Sequence, residues 1–216
     1  FNRRFDPSLV KLQQSVRDGA VGELQALRII NRDPQAPDVE FVRRSGGLFF
    51  DFAIHDFDTI RFLSGSEVVE VFAAGAVLID PEIGAAGDID TAIISLRLAI
   101  GALCVIDNSR QARYGYDQRF EAFGSMGNLV VDNTRPTIRE SFLEDGVFTD
   151  LPPADFVARY KQAFVNELAT FIDCVREHRP VSVTAEDALA AVRVAGAAKR
   201  SSEENRPVRI DHAVAT

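Results

Sequence analysis

Residues 48–63 constrain the fold of this chain more than any other stretch. Phe49, Phe50, Phe52, Ile54, Phe57, Ile60, Phe62 and Leu63 make the segment apolar nearly all round. A helix of that kind has no face to give to water, so it belongs in the interior. Gly65, just past its end, fits a left-handed cap. Yet Asp51, His55 and Asp58 lie at i, i+4 and i+7, positions that share one face of a helix. A polar seam on a buried rod is costly unless its groups find partners. The chain must therefore build a core that surrounds this segment and also satisfies its seam. At 216 residues it is long enough to do so.

The rest of the sequence supplies strands and helices for that core. Leu9, Leu12 and Val16 predict a helix over residues 7–18, stopped by Gly19. Residues 24–30 read as a strand, broken by Asp33-Pro34 and Pro37. Residues 68–79 read as another strand, and 81–87 as a loop. Apolar residues alternate over 92–100, and Ile100-Gly101 turns that strand back into residues 102–107 as a hairpin. Shorter strands are expected at 119–122, 129–131 and 137–142. After Pro152-Pro153 the period changes. Phe156, Tyr160, Phe164, Leu168, Phe171 and Val175 form a long helical stripe that Pro180 stops, and Thr184 starts a second helix with Glu186 and Asp187 in its first turn. A last strand is expected at 208–210. The expected fold class is α+β, an open and largely antiparallel sheet with helices on one face, with residues 1–216 as a single domain.

Composition removes several functions. Lys plus Arg number 24 against 32 Asp plus Glu, a net charge of −8, so nothing draws the chain to nucleic acid or an anionic membrane. No apolar run approaches the roughly 20 residues of a membrane span. Two cysteines, Cys104 and Cys174, form no disulfide framework and suit a reducing, cytoplasmic setting. Both fall in predicted strand and helix cores, where they read as small buried hydrophobes. The sequence holds no G-x-G-x-x-G turn, no P-loop, no H-E-x-x-H and no G-x-S-x-G elbow. No dinucleotide cradle and no metal site is therefore expected within this chain.

Asp51 and His55 are the sharpest candidates for chemistry. Histidine titrates nearest neutrality, and a carboxylate one turn away can orient its imidazole or share a polar ligand with it. Two polar groups paired within a core are the alternative that spacing leaves open. Asp51, His55, Asp56 and Asp58 together resemble ligands for a metal, but no ligand motif supports that. Arg3 and Arg4 can bind an anion or polyol, or form a solvated face. Tyr114-Gly115-Tyr116-Asp117 can set a phenol over a pocket, or pack. His178 and His212 read as helix-end and tail residues.

Gly46-Gly47-Leu48-Phe49-Phe50-Asp51-Phe52-Ala53-Ile54-His55-Asp56-Phe57-Asp58 resembles the signature helix of the glucose–fructose oxidoreductase / inositol dehydrogenase / rhizopine-catabolism (Gfo/Idh/MocA) family. Phe1-Asn2-Arg3-Arg4-Phe5-Asp6 is similar to the segment that leaves that family's nucleotide-binding domain. Asn31-Arg32-Asp33-Pro34 and Tyr114-Gly115-Tyr116-Asp117 match two further landmarks, so the resemblance runs over essentially the whole chain, most fully to the myo-inositol 2-dehydrogenase branch. The resemblance implies an N-terminal Rossmann domain followed by a substrate domain, of which this chain matches only the second. The family's catalytic lysine precedes a proline, and Lys11, Lys161 and Lys199 do not. The lysine and the NAD or NADP site are then expected in a nucleotide-binding domain missing from this chain, which by itself would fold but not turn over.

The resemblance also assigns roles. His55 falls on the catalytic general base and Asp51 on its partner. Arg3, Asp33 and Tyr116 fall on positions lining the polyol pocket, with Asp33 where some relatives carry Asn and Phe164 where Tyr is common. The implied activity is NAD-dependent oxidation of a secondary alcohol on a cyclitol, by a homo-oligomer, as a tetramer. A dehydrogenase of another sugar, or a polyol-binding module without catalysis, are the competing expectations.

Overall fold

The computed structural model describes residues 1–211; His212 lies outside them. A single 3₁₀ turn at Asn2–Phe5 leads into helix α1 (Pro7–Arg17). Asp6 caps α1 by accepting from the Ser8 and Leu9 backbone N–H groups, and Pro7 takes the first helical position. Strand β1 (Leu24–Arg32), then α2 (Val39–Ser45), α3 (Leu48–Asp51) and α4 (Ile54–Ser64) follow. Next come β2 (Val68–Ala76), α5 (Pro81–Ala85), β3 (Thr91–Leu98), β4 (Leu103–Ser109), β5 (Asp117–Gly124) and β6 (Gly127–Val131). Strands β7 (Glu140–Leu143) and β8 (Gly146–Thr149) precede α6 (Phe156–Arg176), α7 (Ala185–Glu204) and β9 (Val208–Arg209).

Seven strands form one sheet in the order β6-β5-β1-β4-β3-β2-β9. Every neighbouring pair is antiparallel except β1 and β4, which run parallel. Helices α1, α4 and α7 cover one face, so the architecture is the α+β arrangement read from the sequence. Helix α6 instead packs on the 3₁₀ turn. Strands β7 and β8 make a separate hairpin.

Three adjacent strands set the position of the site. In register across β4, β1 and β5, the buried face carries Cys104, Leu27 and Ala122, then Ile106, Ile29 and Phe120, then Asn108, Asn31 and Gln118. All of these nine but Cys104 are at most 1% exposed. Just beyond the third row the strands give way to Arg110, Asp33 and Tyr116. The same face thus runs from hydrocarbon to amide to charge within three rungs. Alternation makes this possible, because every second residue of a strand faces the helices.

The main departure from the sequence reading lies in residues 48–63. The apolar rod is two helices, not one: α3 ends at Asp51 and α4 starts at Ile54, with Phe52 and Ala53 as a turn between them. The chain enters α3 through Gly46 and Gly47, both left-handed at φ +88° and +86°. A Cβ on Gly47 would lie 2.7 Å from Asp88 Oδ1, and that carboxylate holds the Leu48 N–H at the start of α3. Helices α2 and α5 and strand β8 occupy segments the periodicity left as loop. Both helices are short and each starts at a capping aspartate, Asp38 and Asp80.

Candidate active site

The residues that end β1 and β4 and precede β5 meet the 3₁₀ turn and the α3–α4 break around a cavity of about 570 Å³. Arg3, Asp33, Asp51, His55 and Tyr116 all line it, although they span more than a hundred positions. Phe41, Phe52, Phe156 and Phe164 supply apolar wall. Arg110 and Tyr160 also line it, and the sequence reading assigned neither a part in the site. Asp58, the third member of the predicted seam, faces elsewhere and is bound by Arg4 Nε at 2.9 Å and Nη2 at 2.6 Å. A wider cleft beneath the β7–β8 hairpin is lined by Asp117, Arg119 and Asn133, but these side chains satisfy one another.

The cavity's charged groups are held from behind. Arg3 is 5% exposed and donates to Asp56, which is fully buried. The other Asp56 oxygen accepts from Asn31 Nδ2 and Asn108 Nδ2, each at 2.9 Å. Two amides of that row therefore satisfy one buried carboxylate, which in turn fixes one guanidinium at the cavity. Burial opposes the Arg3 charge, but Asp56 with the Tyr160 and Tyr116 phenols together more than offsets it, so Arg3 stays protonated. Its guanidinium carbon also stands 5.8 Å from the centroid of the Tyr160 ring. Tyr116 donates its hydroxyl to Gln118 Oε1 at 2.9 Å, and burial pushes that phenol up to about 12. Gly115 lets the chain enter this position, since a Cβ there would meet the Pro152 and Pro153 carbonyls at 3.0 and 3.1 Å.

Asp51 accepts from Arg110 Nη1 at 2.8 Å. His55 presents a neutral imidazole, pushed down to about 3 by burial first and then by the Arg3 charge. Its Nδ1 is buried without a hydrogen-bond partner, and the Phe1 ring meets it edge-on at 5.9 Å. Burial, with Asp51 nearby and against the pull of Arg110, raises the Asp33 carboxyl to about 6. The Tyr160 hydroxyl is buried and unpartnered at the wall. The site thus offers one weak neutral base, carboxylates, fixed guanidinium groups and phenols around a chamber with aromatic sides. That set suits a small molecule with many hydroxyl groups and exposed C–H faces.

Among the described residues, no three His, Cys, Asp or Glu side chains gather to hold a metal ion, and no helix is long and apolar enough to cross a membrane. Cys104 and Cys174 are both buried, and burial raises the Cys104 thiol to about 12.

Residues 9–130 match the family model of the GFO/IDH/MocA C-terminal domain. The chain belongs to this family. It is 47% identical over 214 residues to the myo-inositol 2-dehydrogenase of Thermotoga maritima, covering 99% of this chain and 64% of that protein. The crystal structure of a myo-inositol dehydrogenase from Corynebacterium glutamicum superposes with a TM-score of 0.94 at 40% identity, over 98% of this chain and 64% of that one. That of scyllo-inositol dehydrogenase from Lactobacillus casei, with bound NAD(H) and scyllo-inositol, superposes with a TM-score of 0.88 at 30% identity, over 96% and 63%. The chain spans under two thirds of the length of these relatives.

One of the sequence-predicted site residues was reachable only through the family pattern: Asp33 looks like an ordinary loop charge in the sequence, whereas Arg3 already stood there as a possible polyol ligand. For Arg110 a signal existed. It follows an alternating apolar strand whose buried row ends in Asn108, and a polar residue continuing a buried row needs a partner.

Proposed function

We propose that this chain is the substrate domain of an NAD-dependent inositol dehydrogenase, with His55 as the general base and Asp51 orienting the reacting hydroxyl. The observation that carries the reading is the convergence of Arg3, Asp33, Asp51, His55 and Tyr116 on one cavity. The names of the relatives supply the substrate class. Within the cavity Arg3 is matched by Asp56 and Arg110 by Asp51, which leaves Asp33 without a cationic partner in hydrogen-bond contact. A neutral polyol fits that balance, whereas a phosphorylated or acidic sugar would meet Asp33 as a like charge.

The dinucleotide is held by residues outside this chain, since its sequence has no glycine-rich strand–turn–helix. When bound, NAD supplies the hydride acceptor. The chain's own groups do the rest. Asp51 accepts a hydrogen bond from the hydroxyl next to the reacting one, and so turns the reacting O–H toward His55. The C–H hydride leaves that carbon as the O–H proton passes to the His55 imidazole, and the alcohol becomes a ketone. A base of low proton affinity serves here because the hydroxyl grows strongly acidic as hydride departs. Arg3, Asp33 and Tyr116 bind the remaining hydroxyls, and each group that a wrong stereoisomer leaves unpaired weakens its binding and so adds discrimination. The Phe41, Phe52 and Phe164 walls cover the C–H faces and exclude water.

The face of the sheet opposite the helices exposes Ile93, Leu103, Phe123 and Val130. It supports self-association through that face, to be read by sedimentation of the full-length protein.

The direct test is NADH formation by the full-length protein with myo-inositol. His55→Ala should lower kcat by about 10²–10⁴, the usual worth of a positioned acid–base group. Unchanged kcat in that variant removes His55 from the reaction.

A further inference from the structure

Asp51 and His55 are four residues apart, yet the helix breaks between them, so helical repeat does not fix one against the other. What fixes Asp51 comes from 59 positions away. Arg110 Nη1 donates to Asp51 Oδ2 at 2.8 Å. Its side chain is 2% exposed, and its guanidinium carbon lies 5.3 Å from the centroid of the Phe52 ring, the first residue of the break. Arg110 Nη2 approaches Asp88 Oδ2 at 3.9 Å. Asp88 in turn accepts the Leu48 N–H, at 3.0 Å to Oδ1 and 3.1 Å to Oδ2. Helix α3 is therefore clamped at its first residue by Asp88 and at its last by Arg110.

Packing alone does not account for this arginine. Its Nε and Nη2 are buried without hydrogen-bond partners, so its one full hydrogen bond goes to Asp51. A buried guanidinium with so few partners is poor value for stability, and an apolar side chain of similar volume would serve the core as well or better.

We propose that Arg110 is a positioning residue for the reaction, acting through Asp51. It engages Oδ2 and turns the carboxylate so that Oδ1 is free to accept from the polyol and set the reacting hydroxyl toward His55. The inference rests on the reading of Asp51 as the group that orients that hydroxyl.

The experiment is a double-mutant cycle in the full-length enzyme with myo-inositol and NAD, using Arg110→Met, Asp51→Asn and the pair, each checked for folding by thermal melting. Arg110→Met should lower kcat by about 10–100-fold, as loss of a supporting outer-shell group does, with KM moving less than about threefold. The paired variant should fall no further than Asp51→Asn alone, within about twofold. Arg110→Lys, which keeps the charge, should restore part of the loss. Losses that multiply in the pair would overturn the proposal. So would wild-type kcat in Arg110→Met, or a raised KM at unchanged kcat, which would make Arg110 a substrate ligand. Should Arg110→Met fail to fold, the same cycle with Arg110→Lys decides, and multiplying losses there overturn it too. Full turnover in Asp51→Asn would instead sink the reading of the site itself, an outcome distinct from an impaired Asp51→Asn whose loss multiplies with that of Arg110.

Discussion

Strands β1, β4 and β5 bury two different interiors on one face. Toward one end, Leu27, Ile29, Ile106 and Phe120 pack against helices with nothing to satisfy. Toward the other, Asn31, Asn108 and Gln118 are just as inaccessible, but each is hydrogen-bonded into a network that ends at the cavity. Backbone pairing and burial are the same in both. What differs is how the energy is distributed. The apolar end gains from area removed from water and tolerates similar shapes. The polar end gains little net stability, and it becomes costly as soon as one partner is removed. An interior of the second kind is retained where side chains must be held in one orientation, and here it holds Arg3 and Tyr116 at the cavity.

The sharpest way to break this contrast is at Asp56. The carboxylate is fully buried and accepts from Arg3, Asn31 and Asn108. Asp56→Asn leaves the Arg3 charge without its partner and turns an amide donor toward two others. The expected loss is about 3–5 kcal/mol of unfolding free energy, the cost of orphaning a buried charge, read by urea denaturation. A loss below about 1 kcal/mol would mean that water reaches Arg3 and that the polar end is not dry.

The contrast also explains what could be read in advance. Strand β3 was legible because Ala92, Ile94, Leu96 and Leu98 face the core while Ile93, Ser95 and Arg97 face out. Helix α7 announced itself through Thr184 and Asp187, which form a reciprocal cap. The break at Phe52 and Ala53 was invisible, because neither residue is a helix breaker. The side chains that hold the two ends of α3 beside it, Asp88 and Arg110, come from other parts of the chain. Strand β8 was hidden because its residues are largely exposed and its hairpin packs little. In the site, the five predicted residues do meet at one cavity, but neither their spacing nor the family pattern said what holds them. Asp56 stood in the sequence as a neighbour of His55, and its bond to Arg3 crosses 53 positions. Such partners cannot be found by periodicity, which reports only which face of an element is buried.

Asp33 offers a smaller effect with a defined pH window. Its carboxyl is raised from 3.8 to about 6, mainly by burial. Between those values the folded state binds more protons than the unfolded chain, so this group makes stability fall as pH rises from about 4 to 6. Asp33→Asn removes the penalty. The variant should be more stable than the parent by about 1–2 kcal/mol at pH 7, allowing for partial exposure, and equal to it near pH 3. His55, pushed down to about 3, acts in the opposite direction between about pH 3 and 6.5, but it is common to both proteins and cancels in the difference. Urea melts of the two at pH 3, 5 and 7 check the sign. A difference that does not grow with pH would show that Asp33 is not the buried acid described. In the full-length enzyme the same variant should shift KM among inositol isomers, since an amide cannot accept at both atoms as a carboxylate does.

The smallest effect belongs to the apolar end. Ile29 is fully buried between Ile106 and Phe120, one rung from Asn31. Ile29→Val removes one methylene and should cost about 0.5–1.5 kcal/mol in the urea melt, while kcat and KM stay within about twofold of the parent. The two interiors are neighbours, so the result depends on how far a small void propagates. If the amide row is held by its own hydrogen bonds, a missing methylene relaxes into the helices and Asn31 keeps its bond to Asp56. A drop of tenfold or more in kcat would mean that the hydrocarbon rung props up the amide rung, and that the site is aligned by packing through the whole sheet rather than by the network behind it.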